Sequence, residues 1–302
     1  MNITIRQLEI FIAVSKAESY TQAAKVIHLT QPAVSMQIKQ LEHQLGIPLF
    51  EQLGKKIYLT ESGKEIHQHA RNILEQLNEM ETFIDNTKGL NQGKLRISVA
   101  TTANYFAPAL LSTFYKRFPG VTVTLDITNR QTLIQQLDEN EVDLVIMGQP
   151  PKNMALDATP FMDNPLVIIA PPNHPLNGKK KIPLARLEEE VFLVRETGSG
   201  TRIAMEKFFK NHKLQLTTGM EISSSEAIKQ SVSAGMGLGI IQVDAIQTEL
   251  TLKQLVVLDV EHLPIQRHWY IVHRKGKRLS MLANAFKQFI IDESKILLGR
   301  DK

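Results

Sequence analysis

Residues Ser19 to Glu42 read Ser-Tyr-Thr-Gln-Ala-Ala-Lys-Val-Ile-His-Leu-Thr-Gln-Pro-Ala-Val-Ser-Met-Gln-Ile-Lys-Gln-Leu-Glu, and the stretch runs on through Leu49-Phe50-Glu51-Gln52-Leu53-Gly54-Lys55-Lys56 to Leu59-Thr60. Ser19 with Gln22 three residues later predicts a capping box opening a short helix. Ala23, Ala24 and Ile27 give that helix a small apolar inner face. Leu29-Thr30-Gln31 breaks it, and Thr30 caps a second helix that accepts Pro32 in its first turn. Ala33, Val34, Ile38 and Leu41 then recur at helical spacing and face inward. Two short helices, a tight turn and an alanine-lined crossing predict a helix-turn-helix, whose second helix enters the DNA major groove.

A pair of amphipathic helices is also ordinary core material, so the exposed face of the second helix decides between the readings. Gln31, Ser35, Gln37 and Lys39 are donors and acceptors of a size to meet base edges or phosphates. A hairpin-like Gly54-Lys55-Lys56-Ile57-Tyr58 follows and suits a basic wing laid on the DNA backbone.

Outward from this head, a polar helix is predicted from about Glu61 to Lys88. Ile66, Ala70, Ile73, Leu77, Met80 and Ile84 fall at alternating spacings of four and three, a heptad seam that predicts self-association. Pairing two copies would set two heads at a fixed separation on a two-fold related site. Gly89 to Gly93 predicts a hinge. Beyond it strands and helices alternate, from Leu95–Ala100 to a last strand at Arg267–Val272 and a long helix at Ser280–Leu298. That alternation predicts α/β domains with mainly parallel sheets, whose ligands sit beyond strand ends against helix N-termini. Four junctions have suitable chemistry: Thr101-Thr102, Asn129-Arg130, the loop Gly198-Ser199-Gly200-Thr201-Arg202, and Ser224 within Ser223–Ser225. Hydroxyls, free amides and two arginines in one cleft suit a phosphate or carboxylate.

Composition bounds the rest. A chain of 302 residues can hold two or three domains. With no cysteine, disulfides, thiol catalysis and cysteine metal sites are excluded. No export signal or membrane-length apolar run is visible, so a cytoplasmic protein without membrane contact is expected. The net charge of +4 does not sit in the head: residues 1–90 carry nine Lys/Arg against ten Asp/Glu. DNA affinity must therefore come from local placement and from doubling the head, not from bulk charge.

Other motifs carry no chemistry. Gly235-Met-Gly237-Leu-Gly239 precedes a strand instead of following one, so it is not a dinucleotide fingerprint. His67 and His69 are two apart on a helix and point to different faces. Lys179-Lys180-Lys181 reads as a solvated turn. No catalytic constellation or metal site is visible, which argues against an enzyme. A regulator gated by a small anion is the leading reading, and a cytosolic solute-binding module with helical assembly segments is the alternative.

The matched residues are numerous and regularly spaced: Arg6-Gln7-Leu8-Glu9, Thr21-Gln22-Ala23-Ala24, Gln31-Pro32-Ala33-Val34-Ser35, Leu41-Glu42, Leu45-Gly46, Leu49-Phe50 and Leu59-Thr60. In these the chain resembles the LysR-type transcriptional regulators over its whole length. The resemblance implies a mixed fold: a winged helix-turn-helix over 1–60, a linker and dimerisation helix over 61–88, a hinge at 89–93, and an α/β effector-binding domain over 94–302. That domain would comprise subdomain one (94–161 and 267–302) and subdomain two (162–266), similar to type 2 periplasmic binding proteins, with crossovers near 161–165 and 264–268. It further implies base contacts from Gln31, Pro32 and Ser35, phosphate contacts from Thr30 and Lys39, and an effector loop at Thr101-Thr102. Implied partners are promoter DNA, a small-molecule effector, a second copy in a dimer and a tetramer of two dimers, and RNA polymerase for an activator. Gln52 and Met36 stand where arginines are common, which predicts weaker phosphate contact or a changed base preference. Leu29–Glu42, Pro48–Gln52 with Gly54–Thr60, and Arg195-Glu196 with Gly198–Arg202 look most like the regulators of carbon-dioxide-fixation operons. Members of that group respond to phosphorylated metabolites or NADPH. No cofactor is implied.

Overall fold

The computed structural model describes residues 2–53, 56–87 and 93–299. The chain divides into two compact units, Met1–Ile84 and Asp85–Lys302.

In the first unit, helix α1 (Ile5–Ala17) opens on a closed capping box. Thr4 Oγ1 accepts from Gln7 N at 3.2 Å, and Gln7 Oε1 accepts from Thr4 N at 3.0 Å. Helix α2 (Tyr20–Val26) is capped by Ser19, whose Oγ accepts from Gln22 N at 3.3 Å. Helix α3 (Gln31–Leu45) starts at Thr30, which accepts from Ala33 N, with Pro32 in the first turn where its missing N–H is harmless. Strands β1 (Phe50–Leu53) and β2 (Lys56–Leu59) pair antiparallel, Phe50 opposite Leu59. The expected wing is therefore present, while Gly54 and Lys55 lie outside the described residues. Phe11, Val14, Ala23, Val34, Ile38 and Leu41 are the buried centre of this head. Glu42 fixes the wing to α3, its Oε1 accepting from Leu49 N at 2.8 Å and Phe50 N at 3.2 Å.

Helix α4 (Glu61–Thr87) leaves the wing through Thr60, whose Oγ1 donates to the Pro48 carbonyl at 2.8 Å and accepts from Gly63 N at 2.9 Å. Gly63 is pressed so closely on this junction that a Cβ would stand 2.1 Å from the Leu49 carbonyl oxygen. At 27 residues, α4 spans roughly 40 Å. The heptad seam read from the sequence is divided in two. Ala70 is only 1% exposed within the head's core, and Ile66 packs on the same cluster. The stripe reappears beyond them as an exposed one, with Ile73 at 48% and Met80 at 54% exposure, Leu77 half-buried, and Phe83 and Ile84 exposed. A seven-residue repeat records that one helix face is apolar, whatever partner covers it.

The second unit holds two five-stranded sheets. Its elements are β3 (Gly93–Ala100), a 3-10 turn (Thr101–Tyr105), α5 (Ala107–Arg117), β4 (Val121–Thr128), α6 (Arg130–Asp138), β5 (Leu144–Met147), β6 (Leu156–Asp163), β7 (Leu166–Ala170), β8 (Val191–Arg195), α7 (Gly200–Asn211), β9 (Thr217–Ile222), α8 (Ser225–Ser233), β10 (Leu238–Gln242), α9 (Gln247–Thr251), β11 (Val256–Val257), β12 (His268–Arg274) and α10 (Met281–Leu297). Of the expected hinge, only Gly93 is described, as the first residue of β3; Gly89 to Gln92 lie outside the described residues.

The first sheet has the order β4-β3-β5-β12-β6 and the second β11-β7-β10-β8-β9. In each, three neighbouring strands run parallel and the remaining two pairings are antiparallel. The sheets are thus mixed, not mainly parallel as the alternation suggested. The antiparallel half arises where the chain crosses between sheets and returns. Strand β6 escaped the sequence reading because Pro160 interrupts it; Pro160 sits at an irregularity opposite Tyr270, on the edge of the sheet, where a missing donor is tolerated. The two crossing segments lie side by side: Asn164 N donates to the Arg267 carbonyl at 2.8 Å, and Leu166 bridges Ile265. Separate apolar cores close each half, one around Phe106, Phe114, Trp269 and Phe286, the other around Phe192, Phe209 and Leu258. Gly239 leaves no room for a side chain between β10 and helix α8, since a Cβ there would press Ile228 and Val232. In the glycine run at 235–239, Gly235 ends α8 at positive φ while Gly237 and Gly239 are pressed by neighbours, a helix stop and a tight strand entry.

Candidate functional site

The exposed face of α3 forms a shallow groove lined by Gln31, Pro32, Ser35, Met36, Lys39, Gln40, His43 and Gln44. Thr30 is exposed at its N-terminal end. Gln37 does not join them. Two residues from both Ser35 and Lys39, it is turned about 200° around the helix and is half-buried on the far flank. Met36, Gln40 and His43 take its place on the face, a rotation that the α3 register alone would have given. Lys56 on the wing pairs with Glu18 at 3.2 Å, and this hydrogen bond raises its ammonium above the ordinary lysine value. The Ile57 amide donates to the Glu18 carbonyl at 3.3 Å, so the wing is tied to the end of α1.

A second site lies between the two sheets of the second unit. Its inner part measures about 40 Å³ and is lined by Thr101, Thr102, Asn129, Arg130, Ser199, Gly200 and Thr201, together with Asn164, Arg195, Glu196, Arg267 and Trp269. An adjoining outer part of about 430 Å³ shares Thr101, Asn129, Arg130, Glu196 and Ser199, and adds Gly198 and Ser223. Thr101 and Thr102 arrive at the end of β3, Asn129 and Arg130 at the end of β4, and Ser199 to Thr201 where β8 hands over to α7. Three of the four predicted junctions therefore line the inner part of one cleft, and the fourth reaches its outer part through Ser223.

Its electrostatics are one-sided. Arg130 donates to the Gln149 carbonyl at 2.6 Å, and desolvation lowers its guanidinium from the ordinary value. Arg267 donates to Asn164 Oδ1 at 3.1 Å and to the Gly200 carbonyl at 3.0 Å, and burial pushes it down to about 10. It stays charged at neutral pH. Among the described residues neither guanidinium meets a carboxylate. Asn164 and Trp269 are each 1% exposed, yet Asn164 Nδ2 and Trp269 Nε1 find no acceptor. Such orphaned buried donors are rare, and both residues line the cleft together with the two unpaired cations. The first turn of α7 adds free amides and the positive end of a helix dipole.

Two predicted residues stand elsewhere. Arg202 lines neither part of the cleft; its guanidinium is bound to Glu206 at 2.7 Å, to Glu221 and to the Arg195 carbonyl at 3.0 Å. Those bonds raise it above the ordinary arginine value. On the first turn of α7 it points away from the cleft that Gly200 and Thr201 line. Ser224 spends its hydroxyl on capping α8 through Ala227 N, and Ser223 is the serine at the mouth. Arg195 also lines the cleft but is already neutralised by Glu196 at 2.7 Å. Arg267, Asn164 and Trp269 were missed because each sits in or beside a crossover segment, and only the crossing of the chain brings them to the cleft. His67 lies edge-on to Phe11 and His69 is exposed, so the two histidines do face apart. Among the described residues no His/Cys/Asp/Glu group could hold a metal, and no helix is long and apolar enough to cross a membrane.

Residues 5–64 match the bacterial regulatory helix-turn-helix of the lysR family, and residues 88–295 match the LysR substrate binding domain. The chain belongs to the LysR family. It is a transcriptional regulator and not an enzyme. Among LysR relatives, the RuBisCO operon transcriptional regulator of Allochromatium vinosum is 51% identical over 294 residues, 97% of each chain. The transcriptional activator CmpR of Synechocystis is 44% identical, covering 96% of this chain and 95% of that one. Among solved structures, the CcmR regulatory domain of Synechocystis PCC6803 in complex with 2-PG is 40% identical, covers 68% of this chain and 98% of that one, and superposes with a TM-score of 0.66. Full-length LysR architecture recurs in CbnR complexed with its target DNA, TM-score 0.65 at 21% identity, a likeness of fold.

Proposed function

We propose that this LysR regulator controls carbon-dioxide-fixation genes and is gated by a small phosphorylated anion held between its two α/β subdomains. The relatives regulating RuBisCO operons support the target, and the 2-PG complex of CcmR supports the ligand class. The observation carrying the proposal is the cleft itself: two uncompensated guanidiniums, Arg130 and Arg267, beside two donors, Asn164 Nδ2 and Trp269 Nε1, that lack acceptors. A dianion with several oxygens supplies what all four lack. Thr101, Thr102, Asn129, Ser199 and the α7 amides complete its shell. The adjoining 430 Å³ is the size of a small-ligand pocket.

The head reads DNA through α3. Gln31, Pro32 and Ser35 meet base edges, while Thr30, Lys39 and the wing lysines Lys55 and Lys56 hold phosphates. Since residues 1–90 carry no net positive charge, one head binds weakly and two are required. Ile73, Leu77, Met80 and Ile84 on α4 pair two copies, and pairs assemble further into a tetramer. Activation brings contact with RNA polymerase, and the work is done in the cytoplasm. Effector binding closes the cleft and re-sets the paired heads.

Thermal shift and calorimetry with 2-phosphoglycolate, ribulose bisphosphate, NADPH and glycolate test the ligand class, since a ligand of the native state raises its apparent stability. The proposal expects stabilisation by a phosphorylated compound and none by glycolate, its phosphate-free analogue. Equal stabilisation by glycolate would make the site a carboxylate site.

A further inference from the structure

The 3-10 turn Thr101–Tyr105 belongs to the first sheet's half of the second unit, yet it is held at both ends by side chains from the other half. At its start, Gln242 Nε2 donates to the Thr102 carbonyl at 2.9 Å. Gln242 is the last residue of β10 and fully buried. At its end, the Lys229 ammonium lies 5.2 Å from the centre of the Tyr105 ring. Lys229 is itself buried on α8 and fixed by Glu249 of α9 and Glu226, each at 2.7 Å. A buried lysine with two carboxylates needs no third partner for its charge, so its placement under an aromatic ring from the opposite subdomain is a separate feature.

We infer that Gln242 and Lys229 are positioning residues which grip the Thr101–Tyr105 turn from the second subdomain and couple occupancy of the cleft to the relation between the subdomains. The inference rests on the effector site proposed above. Thr101 and Thr102 line the cleft on the same turn whose carbonyl and terminal ring the second subdomain holds. A ligand that meets Thr101 and Thr102 finds the turn already ordered by these two grips, so their loss adds an ordering cost to binding. Loss of either grip leaves the other, together with the buried Ala103 that anchors the turn in the first subdomain's core.

Tyr105→Leu removes the ring and leaves the Lys229, Glu226 and Glu249 ion pairs intact, while Tyr105→Phe keeps the ring. Gln242→Met removes the donor at similar volume. Hydrogen exchange of the ligand-free, full-length protein is read first. Exchange across residues 101–106 is expected to rise in Tyr105→Leu and Gln242→Met and to return to wild-type rates in Tyr105→Phe. Calorimetry with 2-phosphoglycolate should then show about five-fold weaker binding in Tyr105→Leu, the size of one cation–π contact, with Tyr105→Phe close to wild type. Wild-type exchange in both Tyr105→Leu and Gln242→Met overturns the inference, as does equal loss in Tyr105→Leu and Tyr105→Phe. A wild-type protein that ignores every phosphorylated ligand instead refutes the effector reading, and the exchange data still decide the grip.

Discussion

Replacing Arg130 by glutamine should separate ligand binding from folding. The guanidinium lines the cleft, makes one hydrogen bond, to the Gln149 carbonyl, and meets no carboxylate among the described residues. Its folded-state value is depressed by desolvation, so the fold disfavours its charge relative to the unfolded chain. Neutralising it therefore leaves the ligand-free protein as stable as before or slightly more so. With an anion in place the balance reverses. A charge-assisted hydrogen bond contributes about 1.5–3 kcal/mol, which corresponds to roughly 10- to 150-fold in affinity. Isothermal titration with 2-phosphoglycolate, alongside thermal melts without ligand, reads both quantities. The expected result is a ligand-free melting temperature at or above wild type and affinity lower by at least ten-fold. Arg202→Ala is the control: with its guanidinium spent on Glu206 and Glu221 outside the cleft, it should leave the affinity unchanged. An Arg130→Gln protein that binds within two-fold of wild type, or a ten-fold loss in Arg202→Ala, would refute the assignment of the site.

Three further outcomes follow from the packing and charge. Gly63→Ala places a Cβ 2.1 Å from the Leu49 carbonyl and should destabilise the head by about 1–3 kcal/mol in urea unfolding, so an unchanged midpoint would contradict the tight junction. The double variant Ile73→Asp with Met80→Asp should sediment as a monomer with its head folded, whereas Ala70→Asp should melt the head; dimers that survive the first pair of changes would remove α4 from the interface. His273 is held below the ordinary histidine value by burial and by Lys287 and Lys277, against the Arg274 carbonyl that accepts from it. Its folded form resists protonation, so stability is lost as pH falls below the ordinary histidine value, and His273→Gln should flatten part of that loss on the acid side of neutrality in thermal melts.

What the sequence made legible was local. Caps, turns and apolar spacing act over three or four residues, and the helix-turn-helix from Ser19 to Leu45 appears where those signals put it. All four strand-to-helix junctions reach one cleft, the fourth through Ser223, because α/β topology brings strand ends together. The errors are those of partnership and rotation. Ile66 and Ala70 carry the same seven-residue spacing as Ile73 and Met80, but their partner is the head of their own chain. Gln37 and Arg202 lie on the right helices and the wrong faces. Arg267 and Asn164, the residues that tie the crossovers together, are 103 apart in the chain and carry no motif. Only the crossing of two strands makes them neighbours, and that is tertiary information.

The central claim is that an anion in the cleft governs how paired heads hold DNA. Its most direct test is fluorescence anisotropy at physiological salt, with the full-length protein on the promoter fragment upstream of the carbon-dioxide-fixation genes and on a scrambled fragment, each with and without 2-phosphoglycolate. The account predicts promoter affinity about 10³-fold or more above the scrambled sequence, and a change on adding ligand that disappears in Arg130→Gln. Equal affinity for both fragments, or a ligand response that persists in Arg130→Gln, would contradict it.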